Sequence, residues 1–157
     1  MKVSKRVYSD YLIGQYRHSI DLKNRLFIPP KFRDILRRQL QRHFFLTSGL
    51  DGCLYLYLPE QWEKILRDKI GSLNSSDKGM ERAFKRRFFS EAQEASLDSH
   101  GRILIPQFLK DYARLSKEVC IQGVGTRIEI WNAKLWERYC RERIRPSLQH
   151  FAKEFEI

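Results

Sequence analysis

The sequence predicts an α+β fold, mainly β, in which two copies of one unit pair into a single pseudo-twofold, barrel-like β core with helices around it. Three observations predict it. The stretch "DLKNRLFIPP" (Asp21–Pro30) returns as "DSHGRILIPQ" (Asp98–Gln107), with Asp21/Asp98, Arg25/Arg102, Leu26/Ile103, Ile28/Ile105 and Pro29/Pro106 matching at an offset of 77. A second block, "GLDGCLYLYLPEQWEKIL" from Gly49, overlays "GVGTRIEIWNAKLWERYC" from Gly123 at an offset of 74, so the first copy carries about three more residues between its blocks. Finally, four short strands per copy leave an apolar face that one copy cannot cover by itself, and pairing the copies covers it.

Each copy reads as strand, turn, strand, short helix, strand, turn, strand, helix. "YRHSI" and "RLFIP" flank the polar turn "DLKN", and "EASL" and "RILIP" flank "DSHG", which predicts a hairpin about each turn. Pro29 and Pro106 end the second strand and open a helix, where a missing N–H costs nothing. Phe32, Ile35, Leu36 and Leu40 are spaced to form the inner face of the first of these helices, and Phe108, Leu109 and Tyr112 that of the second. "FFLTSGLDGCLYLY" and "EVCIQGVGTRIEIW" predict hairpins turning at Asp51-Gly52 and Gly125-Thr126. Each copy closes with an amphipathic helix, carrying Trp62, Ile65, Leu66 and Ile70 in one and Trp136, Tyr139, Cys140 and Ile144 in the other.

The chain therefore divides into an N-terminal extension (1–13), a first repeat (14–70), a polar linker with a connecting helix (71–90), a second repeat (91–145) and a C-terminal tail (146–157). In the connecting helix Phe84 and Phe88 are spaced as a buried face beside the basic run Lys85–Arg87. In the tail Leu148, Phe151 and Phe155 share one helical side, which either packs on the body or meets a partner.

The net charge is +11, which favours polyanions, nucleic acid first and an anionic membrane surface second. Its distribution is uneven. Residues 1–45 carry eleven Lys/Arg against three Asp/Glu and residues 81–89 four against one, whereas residues 46–80 have four against five and 90–157 eleven against ten. The excess thus sits near the first turn and the connecting helix. Cys53, Cys120 and Cys140 form no C-x-x-C pair and predict reduced, mostly buried thiols. No stretch approaches the roughly 20 apolar residues of a membrane span, and the start has no signal-peptide core. His18, His43, His100 and His150 lack ligand spacing, and no H-E-x-x-H, P-loop or G-x-S-x-G motif occurs. No catalytic residue, cofactor or metal site is expected.

The order Gly14-x-Tyr16-x-His18-Ser19-x-Asp21-x-Lys23-x-Arg25-x-x-Ile28-Pro29, then "SGLDGCLYLYLPEQWEKI", then Asp98-x-x-Gly101-Arg102-Ile103-x-Ile105-Pro106 and "VGTRIEIWNAKLWERY", resembles the MraZ family. That family belongs to the SpoVT-AbrB-like, swapped-hairpin group of transcription factors. The resemblance runs from about Gly14 to about Tyr139 and implies duplicated AbrB-like halves in one swapped-hairpin barrel. It also implies a cytoplasmic, nucleoid-associated bacterial regulator of the division and cell-wall gene cluster, its own promoter included. Such proteins form ring-shaped homo-oligomers and bind short direct repeats of double-stranded DNA through D-x-x-x-R loops. Two departures stand out: the segment before Gly14, and Asn24 where the first loop commonly has glycine.

The residues themselves suit that role. An arginine guanidinium can bridge O6 and N7 of guanine in the major groove, worth roughly 1–3 kcal/mol of discrimination, so Arg25 and Arg102 are candidate base readers. Asp21 and Asp98 can cap turn amides or hold the arginine fork. Lys23 and, in its place in the second copy, His100 complete the candidate DNA-binding set, while Arg17, His18 and Lys31 are candidate phosphate contacts. Asn24 fits a turn position that requires positive φ. Two rival classes remain: a non-specific nucleoid-associated protein, and an antitoxin-like module that binds only protein.

Overall fold

The computed structural model describes residues 11–69, 74 and 76–157. The first half holds β1 (Leu12–Ser19), β2 (Arg25–Phe27), α1 (Pro30–Arg38), β3 (His43–Ser48), β4 (Leu54–Tyr57) and α2 (Pro59–Lys64), which continues into a π-helical turn over Ile65–Lys69. A connecting helix, α3 (Lys78–Ser90), begins at Asp77, whose carboxylate accepts the Met80 N–H. The second half repeats the order with β5 (Gln93–Ser96), β6 (Arg102–Leu104), α4 (Gln107–Tyr112), β7 (Glu118–Gly125), β8 (Ile128–Asn132) and α5 (Ala133–Tyr139). A π-helical turn over Cys140–Ile144 then leads into α6 (Arg145–Glu154).

The halves interleave. β1 pairs antiparallel with β7 of the other half, and β5 pairs with β3. The resulting six-stranded sheet runs β1-β7-β8-β4-β3-β5, an order that maps onto itself when the halves are exchanged. β2 and β6 pair with each other in a separate two-stranded ribbon. Two self-equivalent residue pairs mark the pseudo-twofold axis: Leu26 opposite Ile103 in the ribbon, and Tyr55 opposite Glu129 where β4 meets β8.

This corrects two expectations. Among the described residues the strands do not close into one barrel, because β1 and β5 are the edges of the large sheet and β2–β6 stand apart. Nor is each D-x-x-x-R turn the tip of a simple hairpin. The first is closed by its own turn hydrogen bonds and an isolated Ile20–Leu26 bridge, after which the flanking strands part and find partners in the other half. Local alternation sets which face of a strand is buried but not which strand lies beside it.

Two apolar clusters cover the two faces of the large sheet. One packs Leu46, Leu54, Leu56, Ile121, Ile128 and Ile130 of the sheet against Leu26 and Ile103 of the ribbon and against α1 and α4. The other packs Tyr55, Tyr57, Cys120 and Trp131 against Trp62 of α2, Phe88 of α3 and Trp136 of α5. Every side chain of β4 is consequently buried. Trp62 is a core anchor, stacked on Phe45 and Phe88. Phe84 stacks on Phe88 but is 42% exposed, so the expected buried pair is buried only at Phe88.

The extra three residues of the first copy lie in its helix: α1 has nine residues and α4 six. Both helices end through a left-handed residue, Leu40 at φ 56° and Arg114 at φ 50°. Leu40 therefore falls outside the helix and is exposed, contrary to its helical spacing. Phe108 is exposed as well, and Leu109 alone is the fully buried anchor of α4. β1 starts at Leu12, inside the expected extension, and Leu12 is in the core. Ile70, expected on the α2 face, lies outside the described residues.

Candidate nucleic-acid interface

The two D-x-x-x-R turns are built bond for bond alike. In the first, Asp21 Oδ1 accepts the backbone N–H groups of Lys23 and Arg25, both at 2.9 Å, while Oδ2 accepts Arg25 Nε at 2.7 Å. In the second, Asp98 Oδ1 accepts the N–H groups of His100 and Arg102, both at 2.9 Å, and Oδ2 accepts Arg102 Nε at 2.8 Å. The two roles open to the aspartates are thus filled by one carboxylate, which ties the turn and orients the arginine at once. The Arg25 N–H, with smaller contributions from its side chain and the Lys23 N–H, holds the Asp21 carboxyl below the usual range against the opposing effect of desolvation. The corresponding groups of Arg102 and His100 do the same for Asp98.

Backbone bonds then lock each turn to the opposite half. Ile105 N–H donates to Asn24 O at 2.8 Å, and Ile28 N–H donates to Gly101 O at 2.9 Å. The two acceptors are equivalent positions, and both are left-handed, Asn24 at φ 58° and Gly101 at φ 77°. Their surroundings differ. Asn24 Nδ2 donates to Gln107 Oε1, and Lys110 Nζ donates to Asn24 Oδ1, each at 2.9 Å. At Gly101 the equivalent of Lys110 is Arg33, which lies so close that a Cβ would stand 2.6 Å from its Nη1. Glycine suits 101 twice, through its φ and through the arginine against it. Asn24 satisfies the same φ and uses its amide to bind the second half.

The ribbon brings the two arginines together. Arg25 pairs opposite Leu104 and Arg102 opposite Phe27, so all four share the face turned away from Leu26 and Ile103. Arg25 and Arg102 are diagonal neighbours, a relation that spaces Cα atoms by roughly 7–8 Å. Asp21 Oδ2 lies 3.8 Å from Arg102 Nη1 as well as on Arg25, and so serves both guanidinium groups.

Lys23 is exposed on the first turn and His100 on the second. His18 reaches the ribbon, its ring 5.3 Å from that of Phe27, and burial pushes its pKa down, so near neutral pH it is an uncharged imidazole. Lys31 Nζ donates to Ile13 O at 2.8 Å, at the start of α1. Arg17 lies on the other face of β1, where it pairs with Glu137 of α5 at 2.7 Å. The structure therefore gathers Asp21, Lys23, Arg25, His18, Asp98, His100 and Arg102 about the ribbon and its turns, and turns Arg17 elsewhere.

Four residues of this site are not singled out by the sequence motif. Lys110 and Gln107 hold the side chain of Asn24, Arg33 lies against Gly101 and donates to Ile28 O, and Leu22 stands fully exposed on the first turn where the second has Ser99. Carrying the 77-residue overlay past Pro29/Pro106 aligns Arg33 with Lys110, and a leucine in a polar turn is itself conspicuous. Among the described residues, no group of His, Cys, Asp and Glu could hold a metal ion, and no helix is long and apolar enough to cross a membrane.

The family model for the MraZ protein, described as antitoxin-like, matches the chain twice, over residues 11–87 and 88–156. The transcriptional regulator MraZ of Clostridium tetani is 50% identical over 127 residues, 81% of this chain and 85% of its own length. That of Carboxydothermus hydrogenoformans is 44% identical over 128 residues, covering 82% and 85%. That of Heliobacterium modesticaldum is 42% identical over 142 residues, covering 90% and 94%.

Proposed function

Because the chain belongs to the MraZ family, we propose that this bacterial transcriptional regulator binds double-stranded DNA sequence-specifically through the β2–β6 ribbon and its two turns. The observation that carries the reading is the doubled D-x-x-x-R turn, whose arginines stand as diagonal neighbours on one ribbon. A two-stranded ribbon fits a major groove about 12 Å wide. In both turns the aspartate engages Arg Nε, the side of the guanidinium that a guanine O6/N7 pair does not need, and so orients the Nη groups for base contact. A spacing of roughly 7–8 Å corresponds to about two base-pair steps of 3.4 Å. Leu22 is suited to a thymine methyl group. Lys23, Lys31 and the His18 N–H supply backbone contacts, while Arg17, held by Glu137, is left out.

The resemblance extends the proposal to short direct repeats in the promoter of a division and cell-wall gene cluster, the protein's own promoter included. It further extends to a nucleoid-associated, cytoplasmic ring of identical subunits. One chain carries one ribbon, and a specific site among many competitors needs more contacts than that; a ring offering a ribbon per subunit to successive repeats gains them through effective concentration. Footprinting on DNA upstream of the protein's own gene, with scrambled competitor, tests the reading. Protection of regularly spaced repeats that scrambled DNA fails to compete away is the expected result. Equal affinity for scrambled DNA would establish a non-specific coating protein instead, and no DNA binding at all would leave the antitoxin-like reading.

A further inference from the structure

The helix that closes the chain is built to be covered. Backbone helical geometry continues from Ala133 through the π turn to Glu154, and α6 has no buried residue of its own. Leu148, Phe151 and Phe155 are 61%, 48% and 71% exposed, and their spacing places them on one stripe about 10 Å long. By chain order α6 is the counterpart of α3, since each follows the terminal helix and π turn of its half. The two behave differently. α3 lies back on its own half, with Phe88 stacked on Trp62, whereas α6 leaves its stripe open.

The same chain also carries a matching recess. A groove of about 600 Å³ opens between α3 and the β3–β4 turn, floored by Tyr55 and Phe88 and walled by Leu50, Met80, Phe84 and Tyr112. Leu50, Met80 and Phe84 are 60%, 68% and 42% exposed. Lys69 and Arg87 stand at its rim, while the end of α6 carries Glu154 and Glu156. An amphipathic helix presenting apolar anchors at i, i+3 and i+7 is the kind of element such a groove accepts.

We propose that α6 of one copy docks, stripe inward, in the α3 groove of a second copy. Within the folded chain the stripe and the groove are both left open, so the contact proposed is one between copies. Such a contact joins two different surfaces and passes from copy to copy, which closes into a ring when the rotation allows. The inference rests on the homo-oligomer reading above and names the contact that would build it.

The test uses the full chain in two double variants, Leu148→Glu/Phe151→Glu for the helix and Met80→Glu/Phe84→Glu for the groove, with mass measured by light scattering. The wild type should have a multi-subunit mass, and each variant alone the 18.9 kDa of one chain. Mixed, the two variants should form a 1:1 complex, because one retains a groove and the other a helix; that pairing also demonstrates that both are folded. A wild type that is itself monomeric overturns the assembly reading and the contact with it. An oligomeric wild type whose helix variant keeps its full mass, or variants that do not pair when mixed, overturns the contact alone and leaves the groove to another occupant.

Discussion

Asp21 of the first half stands 2.7 Å from Arg25 on its own turn and 3.8 Å from Arg102 of the second half. Two like charges on diagonal positions of a narrow ribbon repel, and one carboxylate between them relieves that repulsion. Among the described ion pairs, Asp98 serves Arg102 alone. The halves are thus equivalent in backbone but unequal in electrostatics.

That inequality sets the first prediction. Asp21→Asn should weaken specific DNA binding more than Asp98→Asn, since it loosens both arginines rather than one. Titration of a labelled promoter fragment at two salt concentrations measures it. Equal losses would show that the cross-half ion pair has no consequence.

The turn positions should respond unequally to small substitutions. Gly101→Ala places a Cβ at φ 77° and against Arg33, so it should destabilise the protein by about 1–2 kcal/mol in urea unfolding. Asn24→Gly is tolerated by the backbone at φ 58° but loses the exposed bond to Gln107 and the partly buried one to Lys110; unfolding free energy should change by less than about 1 kcal/mol. A large loss of DNA affinity in Asn24→Gly without loss of stability would place the amide on DNA.

At the pseudo-twofold axis Leu26 and Ile103 face each other, fully buried. Leu26→Ala or Ile103→Ala should each cost about 2–5 kcal/mol through lost burial and the cavity left behind. Because the two share one site, the double variant should cost less or more than the sum by at least about 0.5 kcal/mol. Strict additivity in denaturant titrations would contradict the direct packing across the axis.

The lowered carboxyl pKa values of Asp21 and Asp98 give a signed pH dependence. Their ionised forms are favoured in the folded state, so this contribution is complete above the ordinary value of 3.8 and is lost as pH falls below it. His18, whose pKa is lowered by burial, contributes in the same direction nearer pH 6.5. Melting temperature should therefore fall in two steps on acidification. In Asp21→Asn/Asp98→Asn the lower step should shrink while the upper one stays.

Much of this was legible beforehand because chemistry repeats where backbone pairing does not. The doubled Asp and Arg, the prolines and the left-handed position at Asn24 could be read from residue identity alone. The exchange of β1 and β5 between halves could not, since alternation encodes a face and not a neighbour. Leu40 misled because i, i+4 spacing continues past the residue at which the helix actually turns left-handed. The cross-half hold on Asn24 depends on a lysine 86 residues away, and no local pattern announces it.

The central claim is that two arginines from opposite halves read one DNA site. Mobility shifts of Arg25→Ala/Arg102→Ala on the protein's own upstream repeats test it most directly, with the oligomer mass measured alongside. Each bidentate guanine contact is worth roughly 1–3 kcal/mol, so the double variant should lose at least about 10-fold in specific affinity while its mass stays that of the wild type. Unchanged shifts on those repeats would contradict the claim.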